Sequence, residues 1–87
     1  LKGLYRVSSN LESGYGRSDI TLEAQRAGYP HVVIEFKQGE NLKELKKEAL
    51  QQIIDQKYYA GLHGEVLCVG LAHDKKRCEM EYRVIEN

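Results

Sequence analysis

Residues 31–53 read HVVIEFKQGENLKELKKEALQQI, and this stretch decides the fold because its hydrophobic pattern changes once, at Asn41. Its first part contains three β-branched residues in a row, which predict a strand. Asn41 and Glu44 have the spacing of a capping box, which predicts that a helix begins at Leu42. Apolar residues then recur at helical spacing to about Leu62, so we expect a strand followed directly by one long helix.

Further strands are expected on both sides of this stretch. Two precede it, over 4–12 and 17–23, and two follow it, over 65–72 and 78–85. The strand over 65–72 is apolar almost throughout, which is typical of burial on both faces, whereas the last strand alternates and indicates an edge. The short connection from the helix to the next strand predicts a parallel crossover. The expected fold is therefore α+β, in the order βββαββ, with a mixed sheet of four to five strands.

The composition limits the classes of protein that fit. The 87 residues form one small domain over 1–87, and 13 Lys+Arg against 13 Asp+Glu argue against a protein that binds nucleic acid through bulk basicity. The longest apolar runs are far too short to span a membrane. Cys68 and Cys78 lack zinc-site spacing, so we expect a reduced, cytoplasmic protein with buried thiols. Because the first residue is Leu1, we expect a fragment of a larger protein.

Three charged residues define a candidate site on two adjacent strands. Glu35 and Lys37 are separated by one residue, so period-two geometry puts them on the same face of their strand. Asp19 lies in the middle of the preceding strand, which a short turn brings alongside. Two carboxylates and a lysine on one face suit Mg²⁺ or Mn²⁺, with an activated water that the lysine orients. A solvated cross-strand ion pair is the ordinary alternative, and the pattern alone leaves both open.

Three segments together resemble the PD-(D/E)XK nuclease superfamily. They are Gly16-Arg17-Ser18-Asp19-Ile20, Val33-Ile34-Glu35-Phe36-Lys37, and the helical run from Glu48-Ala49-Leu50-Gln51-Gln52-Ile53 to Lys57-Tyr58. The branch that this sequence resembles is found at the C-terminus of uncharacterised bacterial proteins with an ATPase-like N-terminal region. The resemblance covers roughly residues 5–73. Ser18 stands where the family name has Pro, and the first helix of the superfamily is missing, since the chain starts almost at the first strand.

The resemblance implies a restriction-endonuclease-like fold and a metal-dependent nuclease. Such an enzyme hydrolyses phosphodiester bonds of DNA or RNA with a Mg²⁺- or Mn²⁺-activated water, and DNA is the expected partner. Asp19 and Glu35 would hold the metal, with the backbone carbonyl of Phe36 as a further ligand. Lys37 would position the water or stabilise the transition state. Gln52 matches a helix residue that such families place beside the site, although it would equally well edge the core.

Two further residues are candidates, and a second function stays open. Glu12 would supply an extra carboxylate or be a solvated turn residue, and Arg17 would bind phosphate or form a structural salt bridge. The Gln-xxx-Tyr spacing of some relatives is absent, since position 56 is Gln, so neither Tyr58 nor Tyr59 receives a role. The alternative function is a non-catalytic nucleic-acid or partner-binding module that keeps the nuclease fold. The sheet face that the missing helix leaves open would be covered by a second copy in a homodimer, or by an upstream ATPase-like domain of the parent protein.

Overall fold

The computed structural model describes residues 3–9 and 19–87. These residues form five strands and one helix in the order βββαββ, which confirms the predicted fold class. The elements are β1 (Tyr5–Ser9), β2 (Ile20–Ala24), β3 (His31–Gln38), α1 (Leu42–Gln56), β4 (Glu65–His73) and β5 (Cys78–Glu86). The parts of the first two predicted strands at 10–12 and 17–18 lie outside the described residues.

All five strands belong to one mixed sheet in the order β1-β2-β3-β4-β5. β3 and β4 are parallel, and the other three neighbouring pairs are antiparallel. Helix α1 makes the crossover that a parallel pair requires, as the sequence predicts. β5 occupies one edge of this sheet, which confirms the edge predicted from its alternating pattern. The central position of β3 and the crossover helix together create the face that carries the candidate site.

Helix α1 begins where the capping box predicts and ends earlier than the apolar pattern predicts. The side chain of Asn41 accepts a hydrogen bond from the backbone N–H of Glu44 at 3.3 Å. The helix ends at Gln56 because Lys57 adopts the left-handed conformation, with φ 53° and ψ 48°. The predicted end near Leu62 is therefore wrong. A lysine in this conformation has no signature in the sequence, whereas glycine, the usual residue there, occurs only later in the chain.

The hydrophobic core lies between α1 and one face of the sheet. Its fully or nearly fully buried members are Val33 of β3, Leu50 and Ile53 of α1, Leu62, and Val66 and Cys68 of β4. These side chains alternate along the strands and recur at helical spacing along α1, as expected for a sheet covered by one helix. The core therefore fixes α1 over β3 and β4, directly beside Glu35 and Lys37.

The other face of the sheet is also apolar. The strand registers place on it Val7, Ile20, Leu22, Val32, Ile34, Phe36, Leu67, Val69, Leu71, Met80, Tyr82 and Val84. No helix among the described residues covers this face. Its residues on the two edge strands, Val7 of β1 and Met80, Tyr82 and Val84 of β5, are about half exposed or more. On this face of β4, Val69 is buried, whereas Leu67 and Leu71 stay partly exposed, so the prediction of burial on both faces is only partly right.

The two cysteines differ in environment, so the expectation of two buried thiols is right for Cys68 and wrong for Cys78. Cys68 is fully buried, and burial raises the pKa of its thiol to about 11. Cys78 is exposed at the start of β5, and neither residue forms a disulfide. Within the described parts of the chain, no helix is long and apolar enough to cross a membrane.

Gly70 of β4 lies where the backbone of α1 approaches the sheet closely. A Cβ at Gly70 would fall on the backbone nitrogen of Leu50 and the carbonyl oxygen of Lys46. Because backbone cannot rotate away, we expect Gly70→Ala to lower the free energy of unfolding by about 2–3 kcal/mol, measured by urea denaturation. Gly61→Ala is the matched control, since a Cβ at Gly61 has no neighbour within 4 Å. Equal midpoints for both variants would contradict the close contact.

Candidate active site

Asp19 and Glu35 face each other at the end of the β2–β3 pair. Ile20 pairs with Ile34 in the antiparallel register, so the preceding residue, Asp19, comes opposite Glu35. The sequence placed Asp19 in the middle of its strand, but β2 begins at Ile20. The physical reason is that the carboxylate Oδ2 of Asp19 accepts the backbone N–H of Phe36 at 2.7 Å. A side chain therefore accepts the backbone hydrogen bond of Phe36 at this end of the β2–β3 pair.

Glu35 is a buried carboxylate that is only partly satisfied. Glu35 is 6 % exposed, and its side chain lies on the face of β3 that α1 covers. Oε2 accepts a hydrogen bond from Nε2 of Gln52 at 2.8 Å, whereas the buried Oε1 has no hydrogen-bond partner. Burial raises the pKa of Glu35, and the negative charge of Asp19 raises it further, although Lys37 and Gln52 act in the opposite direction. An unpaired oxygen in such a place is costly unless something else binds it.

Gln52 of α1 joins the two strand residues of the site. Its Oε1 accepts from Nζ of Lys37 at 2.7 Å, and its Nε2 donates to Glu35. The same Nε2 donates to the hydroxyl of Tyr58 at 2.9 Å. Because an ammonium can only donate and a carboxylate can only accept, these partners fix the orientation of the amide. Gln52 therefore contacts both charged residues, and it does not merely edge the core.

Tyr58 is the site residue that sequence reasoning missed. Its hydroxyl reaches Gln52 because the chain leaves the helix at Lys57 and returns toward the sheet. If the helix continued through Tyr58, the side chains of Tyr58 and Gln52 would point in different directions around the helix axis. Helical periodicity therefore does not predict their contact. Two other candidates, Glu12 and Arg17, lie outside the described residues, and their roles remain predictions.

The donor groups suit a hard divalent cation. The N–H and C=O of an extended residue point to the same side of a strand, so the carbonyl of Phe36 points toward β2, as its N–H does. Two carboxylates and a carbonyl with remaining water ligands are typical of Mg²⁺ sites. Over residues 3–9 and 19–87, no three His, Cys, Asp or Glu side chains cluster as a metal site. The unpartnered Oε1 of Glu35 is the observation that fits a bound cation.

A surface cavity of about 610 Å³ begins at Gln38, the residue after Lys37. Its other wall is the turn between β4 and β5, where Asp74 accepts the backbone N–H groups of Lys76 and Arg77, both at 2.7 Å. The carboxylate also accepts from the Arg77 guanidinium. These bonds hold an exposed basic turn beside the carboxyl end of β3.

The mixed sheet has one crossover helix, an acidic residue directly before one strand and a Glu-x-Lys pair on the next strand. This arrangement is consistent with the class of restriction-endonuclease-like folds. The family model described as the PD-(D/E)XK nuclease superfamily matches residues 1–83. The chain therefore belongs to the PD-(D/E)XK nuclease superfamily, whose nucleases typically use divalent metal ions. No curated protein and no solved structure matches the chain.

Proposed function

We propose that this chain hydrolyses phosphodiester bonds of nucleic acid, with DNA as the first substrate to test. The observation that carries the proposal is the buried carboxylate of Glu35, which keeps one oxygen without a partner and lies opposite Asp19. A structural ion pair would not need such an arrangement, since Lys37 bonds to the neutral amide of Gln52 and not to a carboxylate. Membership of a nuclease superfamily supports the same reading.

Asp19 and Glu35, with the backbone carbonyl of Phe36, would hold Mg²⁺ or Mn²⁺. When bound, such an ion supplies Lewis-acid stabilisation of phosphoryl charge and a stronger water nucleophile at neutral pH. The bond from the Phe36 N–H holds the Asp19 carboxylate in place before any ion arrives, and α1 shields Glu35 from solvent. These residues therefore form a pre-organised and partly dry anionic site, in which a cation interacts more strongly than in water.

Lys37 would stabilise the negative charge that develops on the phosphate oxygens. Its ammonium is oriented by the amide oxygen of Gln52, which carries no formal charge, so the positive charge of Lys37 remains available to a phosphate. Gln52 acts as a positioning residue, because its one amide group fixes both Lys37 and Glu35. Tyr58 fixes Gln52 in turn.

The setting of the reaction follows from the resemblance and from the cysteines. We propose a bacterial parent protein with an ATPase-like region upstream of this domain, as the resemblance implies. Cys68 and Cys78 are unpaired thiols, which favours a reducing compartment such as the cytoplasm. The upstream sequence of the parent protein tests the first of these proposals directly.

A nuclease assay tests the proposed function. Labelled single- and double-stranded DNA and RNA are incubated with the protein and Mg²⁺ or Mn²⁺, with and without EDTA. We expect cleavage that EDTA abolishes and that Asp19→Ala or Glu35→Ala reduces at least about 10³-fold, since each removes a ligand. Cleavage that neither substitution nor EDTA changes would contradict the metal site. A wild-type protein that binds nucleic acid without cleaving it would favour the binding module.

A further inference from the structure

β5 is a long edge strand with an apolar side. Among the described residues it pairs only with β4, so the outer side of its backbone faces no strand. Its sequence, CEMEYRVIE, contains no proline, and its charged residues carry both signs, so they do not simply repel a second copy. Met80, Tyr82 and Val84 are 56 %, 66 % and 49 % exposed. An edge of this kind is a template for another strand.

The hydrogen bonds to β4 determine which residues of β5 are available for such pairing. Gly64 and Asn87 exchange two backbone hydrogen bonds of 2.9 Å, just beyond the paired ends of β4 and β5. In an antiparallel ladder such pairs alternate, so Glu81 and Arg83 also bond to β4. The residues between and beside them, Tyr82 above all, turn their N–H and C=O groups outward.

We propose that a second copy of this chain pairs with β5 in an antiparallel, two-fold symmetric arrangement, with the two copies of Tyr82 opposite each other. Met80 then lies opposite Val84 of the second copy, so outward-pointing backbone groups meet and apolar side chains meet on one face. Glu81 lies opposite Arg83 of the second copy on the other face, and symmetry forms this ion pair twice. The inference does not depend on nuclease activity.

Neighbouring registers are less complementary. A shift by one residue sets outward-pointing backbone groups of one copy against inward-pointing groups of the other, which removes the hydrogen bonds. A shift by two residues in one direction places Arg83 against Arg83. In the other direction it keeps two ion pairs, Glu79 with Arg83 of the second copy, but it sets Glu81 against Glu81. Like charges directly opposite are destabilising. The sequence of β5 is thus complementary to itself when Tyr82 lies on the two-fold axis.

Sedimentation velocity over a series of protein concentrations tests the proposal by charge reversal. We expect wild type to form a dimer, and Glu81→Arg or Arg83→Glu to weaken it by about tenfold or more, since each creates two like-charge contacts. Glu81→Arg combined with Arg83→Glu should restore dimerisation. Glu48→Arg makes the same charge change on the exposed side of α1 and should leave the dimer unchanged. A wild type that stays monomeric, or a double variant no better than the singles, would overturn the proposal.

A cross-linking measurement checks the register itself, with circular dichroism confirming that each variant folds. Tyr82→Cys in a Cys78→Ser background places two thiols opposite each other, at a Cα separation of about 5.5 Å that a disulfide spans. We expect an intermolecular disulfide on mild oxidation. In the Met80→Cys variant of the same background, the new thiol lies opposite Val84 of the second copy, so we expect much less intermolecular disulfide. Equal cross-linking of both variants, or none for Tyr82→Cys, would contradict the proposed register.

Discussion

Glu35→Gln is expected to reduce cleavage at least about 10³-fold and at the same time to stabilise the metal-free fold. The amide cannot supply the anionic oxygen that a divalent cation requires. It also removes a charge that is buried, lies opposite Asp19, and leaves one oxygen without a partner. Gln52 can still donate to the new side chain. We expect a gain of about 1 kcal/mol at neutral pH, or about 4–8 °C in Tm for a domain of this size.

The pH dependence of this gain has a definite sign. The pKa of Glu35 is raised in the folded protein, mainly by burial, so the unfolded chain releases this proton at lower pH than the folded one. Wild type therefore loses stability as the pH rises from the ordinary pKa of a glutamate through the raised value. In the Glu35→Gln variant, residue 35 does not titrate and contributes no pH dependence to the stability. The difference in Tm between them should be small in acid and largest at neutral pH.

Thermal unfolding in EDTA, followed by circular dichroism from acid to neutral pH, measures this difference. Glu48→Gln is the control, because it removes the same charge from the exposed side of α1, away from the site. A Glu35→Gln variant that is less stable than wild type at neutral pH would show that the Glu35 carboxylate is a structural group. The wild-type protein would then not lose stability by keeping the carboxylate that cleavage requires.

Lys37→Met is expected to reduce kcat by about 10²–10³-fold, the usual loss when a charge stabiliser of a transition state is removed. Methionine keeps an unbranched apolar stem beside α1 while removing the ammonium that Gln52 orients. The carboxylates of Asp19 and Glu35 remain, so divalent-ion binding should persist. This separates Lys37 from the metal ligands, whose loss should abolish binding and cleavage together.

Single-turnover cleavage at saturating metal, over a series of protein concentrations, measures both the maximal rate of the chemical step and the concentration that gives half of it. Lys47→Met is the matched control, since Lys47 is exposed on α1 and should contribute little to the rate. A variant with wild-type kcat and a raised KM would make Lys37 a substrate-binding residue and not a stabiliser of the transition state.

Local patterns predicted the fold well where neighbouring residues decide the structure. The β-branched run in β3 and the Asn41–Glu44 capping box are signals within a few residues, and both elements formed as expected. The end of α1 was missed because Lys57 takes a conformation that its side chain does not favour. The partial exposure of Leu67 and Leu71 on the second face of β4 was missed because burial depends on what else packs there, which the strand alone does not encode.

The candidate site was likewise predictable where local spacing decides the structure, and not where tertiary packing decides it. Glu35 and Lys37 share a face through strand geometry, and a short connection brings Asp19 alongside, so their meeting was predictable from spacing. The exact position of Asp19 before β2 was not, because it depends on a side-chain bond to the Phe36 N–H. The contacts of Gln52 and Tyr58 depend on how α1 crosses the sheet and where it ends. Both are properties of the tertiary structure, which the hydrophobic periodicity of the sequence does not predict.

Calorimetric titration of the protein with Mg²⁺ and Mn²⁺ tests the central claim most directly, because it needs neither substrate nor turnover. We predict saturable binding to wild type and to Lys37→Met, accompanied by a Tm that rises with metal concentration. Binding and the rise in Tm should both disappear in Asp19→Asn and in Glu35→Gln. The account would be contradicted by a wild type that binds neither ion, or by equal binding in all four proteins.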